Sequence, residues 1–224
     1  MGNYKISINQ LADFAFATDA KKRSIIKQQK KPSPFLIPWY QLAKSKIRKS
    51  IAANGDFEPI DNGINQLKLR NPEKKRQIID KQVSIEALRI FKEIKLPELL
   101  KDIPFEIIKS KKVKSIYING VEVKISPDVI YRINIGGQKY IGGIKLHVAK
   151  GNIFQSKQLK YISSLIYEYL NEIVANEDEI VMKELCLSLD VFGKRVISAP
   201  NDDMKSIKTL NELCGEIKWW WNIA

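Results

Sequence analysis

Hydrophobic positions recur at helical spacing through the first third of the chain. A short helix is predicted over residues 8–17, because Ser7-Ile8-Asn9-Gln10 has the capping-box pattern. Thr18 is a candidate cap for a second helix, which must end near Pro32, since proline cannot continue a helix. The second helix places mostly basic residues beside a few apolar anchors.

A third helix is predicted after Pro38, and Asn54-Gly55 ends it. Its apolar stripe consists of Trp39, Leu42, Ala43, Ile47 and Ile51. Residues 54–72 are rich in turn formers and predict an irregular connector. A helix or a broken pair follows over 73–94, with Ser84 as a candidate interior cap, and Leu96-Pro97 begins another short helix.

From Phe105 the period of the hydrophobic pattern changes from 3.6 to 2. Asn119-Gly120 predicts a two-residue hairpin turn, because both residues tolerate a positive φ. Ser126-Pro127 breaks the register, and Gly136-Gly137 joins the next two strands. Three or four sequential antiparallel strands are therefore expected in one sheet.

The last third returns to helical periodicity and then to strands. Gln158 begins a helix whose buried stripe is Ile162, Leu165, Ile166, Tyr169, Leu170 and Ile173. A hairpin around Gly193-Lys194 is predicted to join the same sheet, and a last helix runs from Asp202 or Asp203 to about Glu216. The fold class is therefore α/β (α+β), with a helical N-terminal part.

Composition favours a cytoplasmic protein without a membrane partner. No apolar run approaches the roughly 18 residues that a membrane helix needs. The two cysteines, Cys186 and Cys214, lack the spacing of a zinc site, so they are interpreted as buried thiols in a reducing compartment.

Positive charge is concentrated at the N-terminus. The net charge is +13, and residues 1–80 hold 16 basic and 7 acidic residues, against 22 and 18 in residues 81–224. We therefore divide the chain into a basic helical region, 1–80, and an α/β core, 81–224. Such a surface attracts polyanions, nucleic acid above all. The alternative is a lysine-rich composition that makes the surface basic without any such partner.

The helix after Thr18 is the strongest candidate for a phosphate-facing element. Its basic residues surround two apolar anchors, Ile25 and Ile26. The nucleic-acid-binding candidates on it are Lys21, Lys22, Arg23 and Lys27.

Strand alternation brings chemically useful groups to one face of the sheet. It places Lys145 and the only histidine, His147, together, while Ile144 lies on the opposite, core face. If Asp128 lies beside Lys145, its carboxylate can hold a divalent cation and the lysine can orient water or stabilise phosphorane charge. This pairing is the minimal equipment for metal-assisted phosphodiester cleavage.

Each of these residues also has a purely structural interpretation. Pro127-Asp128 is a frequent turn opener, and Lys145 on a half-exposed strand can simply face solvent. His147 is more often a surface or hydrogen-bonded residue than a catalytic base, and Tyr161 fits the packing stripe of its helix.

Three short motifs carry a resemblance to a known family. Pro127-Asp128, Gly143-Ile144-Lys145 and Gln158-Leu159-Lys160-Tyr161, taken in that order, resemble the PD-(D/E)XK nuclease superfamily and its RecB-like branch. The resemblance covers roughly residues 100–175. It implies a restriction-endonuclease-like αβββαβ core.

The same resemblance implies roles for individual residues. Asp128 and the backbone carbonyl of Ile144 would hold Mg²⁺ or Mn²⁺, and Lys145 would be the catalytic lysine. Gln158 and Tyr161 would line the nucleic-acid side of the site. The sequence departs from the family at Gly143, where the second acidic ligand is expected.

Another acid would have to replace the missing ligand. The candidates are Glu168, Glu122, Glu86 and Glu98. No spacing selects among them, and Glu98 is carried forward as the metal ligand because the upstream helix often supplies an acid in this family.

Three functions follow as hypotheses. The first is a metal-dependent nuclease that hydrolyses phosphodiester bonds in nucleic acid, with DNA favoured. The second is a catalytically inactive nuclease-fold protein that binds nucleic acid or a protein partner, and the third is a protein-binding factor with an acidic partner. Trp219-Trp220-Trp221 can stack on bases, but burial, a protein interface or self-association is the favoured interpretation.

Overall fold

The computed structural model describes residues 4–32, 38–109, 111–201 and 203–224. The helices are α1 (Ile8–Phe14), α2 (Asp19–Lys30), α3 (Gln41–Ala52), α4 (Glu58–Lys68), α5 (Lys75–Phe91), α6 (Leu99–Asp102), α7 (Ser156–Tyr169) and α8 (Asp203–Ile223). A π-helical turn, Leu170–Val174, continues α7. The strands are β1 (Lys5–Ser7), β2 (Phe105–Ile107), β3 (Ser115–Ile118), β4 (Val121–Lys124), β5 (Val129–Ile135), β6 (Gln138–His147), β7 (Glu179–Asp190) and β8 (Arg195–Ser198).

The strands form two mixed sheets, which confirms the α/β (α+β) class. The larger sheet has the order β2-β5-β6-β7-β8, in which β6 and β7 are parallel and the other neighbours are antiparallel. The smaller sheet has the order β1-β4-β3, with β1 parallel to β4. The hairpin around Gly193-Lys194 joins the larger sheet, as predicted.

The expectation that the sequential strands share one sheet was wrong. The β3–β4 hairpin turns at Asn119 (φ +46°) and Gly120 (φ +74°) as predicted, but it pairs with β1 from the N-terminus. Ser126 has a φ of +43° and precedes Pro127, so the chain changes direction before β5. Sequence periodicity shows that strands exist, whereas this bend decides which sheet they join.

Two hydrophobic clusters cover the two faces of the larger sheet. Phe14 of α1 and Ile166 of α7 belong to the cluster that also contains the smaller sheet and α8. Ile47 of α3 and Leu88 of α5 belong to the other cluster, with Ile144 of β6. The larger sheet is therefore packed against hydrophobic residues on both faces.

The basic region 1–80 packs against both faces of the sheet. β1 pairs with β4, and Lys22 of α2 forms an ion pair with Glu216 of α8 at 2.6 Å. Residue 80, the end of that region, lies inside α5. No helix among the described residues has the length and hydrophobicity that crossing a membrane requires.

The prediction of an irregular connector over residues 54–72 was wrong, because α4 occupies most of this segment. Pro59 lies in the first turn of α4, where its missing N–H costs nothing. The turn-forming residues in this segment alternate with buried positions at helical spacing, which are Ile60, Gly63, Ile64 and Leu67. An added Cβ at Gly63 would lie 2.7 Å from Cγ of Lys46, so glycine allows α3 and α4 to approach closely.

Three helix boundaries also differ from the predictions. Ser7 makes no side-chain capping hydrogen bond, and α1 ends at Phe14. α5 runs unbroken through Ser84, which is buried and is not a cap. α8 continues past Glu216 to Ile223, and buries Trp220 while Trp219 stays 56% exposed.

Gly142 marks a bulge in β6. The register between β6 and β7 shifts between Ile141 and Gly143. An added Cβ at Gly142 would lie 2.5 Å from Cβ of Leu185 and 2.7 Å from Cε2 of Tyr131. Only glycine fits this close approach of the two strands.

Candidate phosphate-binding site

Asp128 and Lys145 meet where β5 begins. The backbone N–H of Asp128 donates to the carbonyl of Ile144 at 2.8 Å, and its Oδ2 accepts from the N–H of Leu146 at 2.9 Å. Nζ of Lys145 lies 3.6 Å from Oδ2 and donates to the carbonyl of Ser126 at 2.5 Å. The strand pairing therefore fixes the carboxylate, and the carboxylate holds the lysine.

Helix α3 adds two more cations to this carboxylate. Nη1 of Arg48 lies 4.0 Å from Oδ1 of Asp128. Lys44, one turn earlier on α3, interacts electrostatically with Asp128, Lys145 and Arg48. We call Lys44, Arg48 and Lys145 the cationic cluster.

Sequence reasoning did not identify Lys44 and Arg48 as site residues, because it considered only the apolar stripe of this helix. The signal that was available is their i, i+4 spacing, which puts both on one helical row. Neither periodicity nor composition says that this row crosses the start of β5.

The two lysines of the cationic cluster are largely buried. Burial lowers the pKa of Lys145, and Asp128 opposes this effect while Arg48 and Lys124 add to it. Burial also lowers the pKa of Lys44, with Asp128 opposing and the cations Lys145 and Arg48 reinforcing the change. Arg48 is the most open member, since 46% of its side chain is exposed, against 16% for Lys145. An anion arriving from solvent would therefore meet Arg48 first and relieve the mutual repulsion of all three.

A divalent metal does not fit this donor set. Mg²⁺ usually requires one or two carboxylates together with substrate oxygens and water. Here a single carboxylate faces three cations, and the Ile144 carbonyl already accepts a hydrogen bond from Asp128. Within the described ranges no three His, Cys, Asp or Glu side chains form a group suited to a metal ion.

Position 143 faces the protein core. An added Cβ at Gly143 would lie 3.3 Å from Cγ2 of Ile166 and 3.3 Å from Cδ1 of Leu170. An acidic side chain there would enter the apolar contact between β6 and the end of α7 without a partner. An acid at position 143 would therefore meet apolar carbon atoms of Ile166 and Leu170.

The proposed replacement acids lie in other surroundings. Glu98 is exposed at the start of α6, and no group of three metal-ligating residues includes it among the residues described. Glu86 pairs with Lys150 at 2.7 Å, and Glu122 accepts from Oγ of Ser115 on the smaller sheet at 2.7 Å. Glu168 lines a cavity with residues of β3 and α8.

Gln158 and Tyr161 lie on α7. Gln158 is buried, where its Nε2 donates to the carbonyl of Ala12 at 3.2 Å and its Oε1 accepts from the N–H of Gln155 at 2.8 Å. It therefore joins α1 to the first turn of α7. Tyr161 is half-buried and stacks on Phe16, with ring centroids 6.0 Å apart.

The basic residues of α2 mostly have partners within the protein. Lys21 pairs with Asp13 at 2.7 Å, and Lys22 pairs with Glu216 of α8. Arg23 lies over the ring of Trp220 at 5.9 Å, and Lys27 lines a cavity beside the end of α8. These contacts attach α2 to α1 through Lys21 and to α8 through Lys22 and Arg23.

His147 has a structural environment. Its ring stacks on Phe154 with centroids 3.6 Å apart, and its Nε2 lies 2.6 Å from the carbonyl of Asn152. Burial lowers the pKa of His147, which the Asn152 hydrogen bond and Asp190 oppose. Asp190 in turn accepts from the N–H groups of Phe154 and Gly193 at 2.6 and 2.9 Å.

The comparisons with known proteins do not assign a family. The sequence matches no model of a known protein family, and no curated protein is significantly similar to it.

Proposed function

We propose that this protein binds nucleic acid by its phosphate groups, through the cationic cluster, and that it does not hydrolyse them with a metal ion. The observation that carries the proposal is the convergence of three cations on the single carboxylate of Asp128. A phosphodiester supplies the negative charge that this site lacks.

The roles of the four residues follow from their geometry. Arg48 presents a planar set of donors that suits phosphate oxygens, and its partial exposure leaves it accessible. Lys44 and Lys145 add charge from a poorly hydrated position, where electrostatic attraction is stronger than in water. Asp128 orients the cations and limits their repulsion while the site is empty of phosphate.

The order of elements supports a restriction-endonuclease-like core as part of the proposal. β2, β5 and β6 pair as neighbouring antiparallel strands, α7 follows, and β7 lies parallel to β6. The contact of Asp128 with Lys145 at the paired strands β5 and β6 supports the same part of the proposal. The proposed protein therefore keeps the architecture and the phosphate contact, while Gly143 stands in place of the second ligand.

A salt titration with matched variants tests the proposal. Fluorescence anisotropy of labelled DNA is measured with the wild type, with Lys44→Gln/Arg48→Gln, and with Lys95→Gln/Lys101→Gln. The control removes the same charge from two exposed lysines. If the cluster contacts phosphate, the first variant weakens binding by roughly tenfold and lowers the salt slope by about 1 to 2, since each lost phosphate contact lowers it by about 0.9.

Two results would contradict the proposal. One is an equal loss of affinity in both double variants, which would assign binding to net charge alone. The other is an absence of nucleic-acid binding by the wild type at low salt.

A further inference from the structure

Lys44 and Arg48 form one row of side chains along α3. The neighbouring row, Gln41 and Ser45, lines a groove. We call it the α3–α5 groove. It has a volume of about 660 Å³ and is bounded by the start of α3, the α4–α5 connection and α5. Its polar lining includes Gln41, Ser45, Arg70, Asn71, Arg76 and Gln77.

Two side chains fix the walls of this groove. Nζ of Lys81 donates to the carbonyls of Lys68 and Arg70, at 3.0 and 2.7 Å, and so holds the end of α4 against α5. Oδ1 of Asp80 accepts from the N–H of Tyr40 at 2.9 Å and holds the start of α3. The groove is therefore a formed surface between anchored segments.

Four of these polar groups are available to a ligand. In the described parts of the chain, the side chains of Gln41, Asn71 and Gln77 have no hydrogen-bond partner, and the guanidinium of Arg70 has no ion pair. Side-chain amides offer both donors and acceptors, as the edges of nucleobases do. Arg70 offers the positive charge that a phosphate requires.

An aromatic ring and a cation lie beside these groups. Trp39 is 38% exposed, and Arg76 lies over its ring at 5.1 Å from the centroid. Pro38, the neighbour of Trp39 in sequence, lines the groove together with Arg76. Exposed aromatic rings next to arginine are the usual stacking surface for unpaired bases.

We propose that the α3–α5 groove binds an unpaired base of single-stranded nucleic acid. Trp39 stacks on a base, the three amides contact a base edge, and Arg70 contacts the phosphate. A base in a duplex is paired and stacked, so it cannot enter a concave groove of this kind without being extruded. The inference rests on the proposed function, and it adds a preference for single strands.

The position of the groove on α3 connects it to the cationic cluster. Gln41 and Ser45 line the groove, whereas Arg48 approaches Asp128 and Lys44 interacts with it electrostatically. Residues three apart on a helix are neighbours, so the two rows adjoin. Because a helix with its side chains is only about 10–12 Å wide, one short strand can occupy both sites.

The test compares single-stranded and duplex probes on the same variants. Labelled oligo(dT), oligo(U) and a DNA duplex of equal length are titrated against wild type, Trp39→Leu and Arg70→Gln. Trp219→Leu is the control for Trp39, since Trp219 is also exposed, and Lys95→Gln is the control for Arg70. Thermal unfolding establishes that every variant is folded, and Arg70→Gln carries the test if Trp39→Leu is not.

The expected result is a loss that depends on strand type. Trp39→Leu weakens binding of the single strands by about fivefold or more, since a stacked base contributes roughly 1 to 3 kcal/mol, and changes duplex binding by less than about twofold. Arg70→Gln also weakens single-strand binding more than its control does. The arms with oligo(dT) and oligo(U) distinguish DNA from RNA as the source of the strand.

Other patterns would overturn the inference. Unchanged single-strand binding in Trp39→Leu and Arg70→Gln, or equal losses for single strands and duplex, contradicts a base-binding groove. If Lys44→Gln/Arg48→Gln still weakens binding in that case, the proposed function stands without the groove. If the wild type binds none of the three probes, both the proposed function and the base-binding groove are wrong.

Discussion

Oδ2 of Asp128 and Nζ of Lys145 lie 3.6 Å apart at the start of β5. This pair is where a phosphodiester-cleaving site would need its carboxylate and its lysine. Yet Arg48 approaches the same carboxylate and Lys44 interacts with it electrostatically, so the local charge is positive. The pair therefore attracts phosphate more readily than a divalent cation.

Nucleic-acid binding should weaken at alkaline pH before ordinary lysines titrate. Burial lowers the pKa of Lys44 and of Lys145 from 10.5, and only their charged forms attract phosphate. Affinity is therefore fully present well below the lowered pKa values and falls as the pH rises through them. Anisotropy at constant ionic strength between pH 7 and pH 10 measures this decline.

Lys44→Arg provides the comparison for the pH profile. A guanidinium keeps its charge over this range, so the variant should lose less affinity than the wild type at the alkaline end. If wild type and Lys44→Arg show the same dependence of affinity on pH, Lys44 does not contact the phosphate.

Two adjacent glycines should respond differently to alanine. An added Cβ at Gly142 meets Leu185 at 2.5 Å and backbone oxygen at 2.6 Å, so Gly142→Ala must displace a strand. Gly143→Ala meets side-chain carbons at 3.3 Å, which small shifts can accommodate. Denaturant unfolding should show a loss of about 3 kcal/mol or more for Gly142→Ala and about 1 kcal/mol for Gly143→Ala.

Restoring an acid at position 143 should not restore a metal site. Gly143→Asp places a carboxylate against Ile166 and Leu170, so we expect a lower melting temperature than for Gly143→Ala. Calorimetry with Mn²⁺ should detect no new site. Metal binding gained by Gly143→Asp without loss of stability would show that the position faces the candidate site.

Both cysteines should be unreactive in the folded protein. Burial raises the pKa of Cys214 from 9.0 to about 12 and raises that of Cys186 further. A thiol reagent at pH 8 requires thiolate, so labelling should be slow until denaturant exposes both residues. Rapid labelling of native protein would contradict the burial of these thiols.

The raised pKa values of the two thiols also predict that the folded state becomes less stable at alkaline pH. The unfolded thiols lose protons near pH 9 while the folded ones keep them, so the folded state binds more protons above that pH. Their contribution to the free energy of unfolding is therefore complete below about pH 9 and is lost as the pH rises towards 12. Cys214→Ala should reduce this loss in urea titrations.

Local patterns predicted most of the elements. The turns at Asn119-Gly120 and Gly136-Gly137 follow from positive φ angles that few residues adopt. α4 was missed because proline and glycine usually indicate turns. Here Pro59 lies in the first turn of the helix, and Gly63 allows α3 to pack closely against it. The partner of the β3–β4 hairpin was missed because strand pairing across the chain leaves no local signal.

The site was only half predictable for the same reason. Strand alternation predicted the face on which Lys145 lies, while its position beside Asp128 was only a condition, which the pairing of β5 with β6 meets. Lys44 and Arg48 reach them only through the packing of α3 on the sheet, which no spacing encodes. Gln158 likewise matched a motif, while its contact with Ala12 depends on where α1 docks.

The Asp128→Asn variant tests the central claim most directly. Its amide oxygen can still accept from Leu146, but its charge no longer balances the cationic cluster. DNA affinity and Mn²⁺ binding are measured for variant and wild type, with a cleavage assay on the same samples. We predict DNA binding at least as tight in the variant, no Mn²⁺ binding that depends on Asp128, and no cleavage by either protein. Mn²⁺ binding and cleavage that occur in the wild type and disappear together in Asp128→Asn would contradict the account and establish a nuclease.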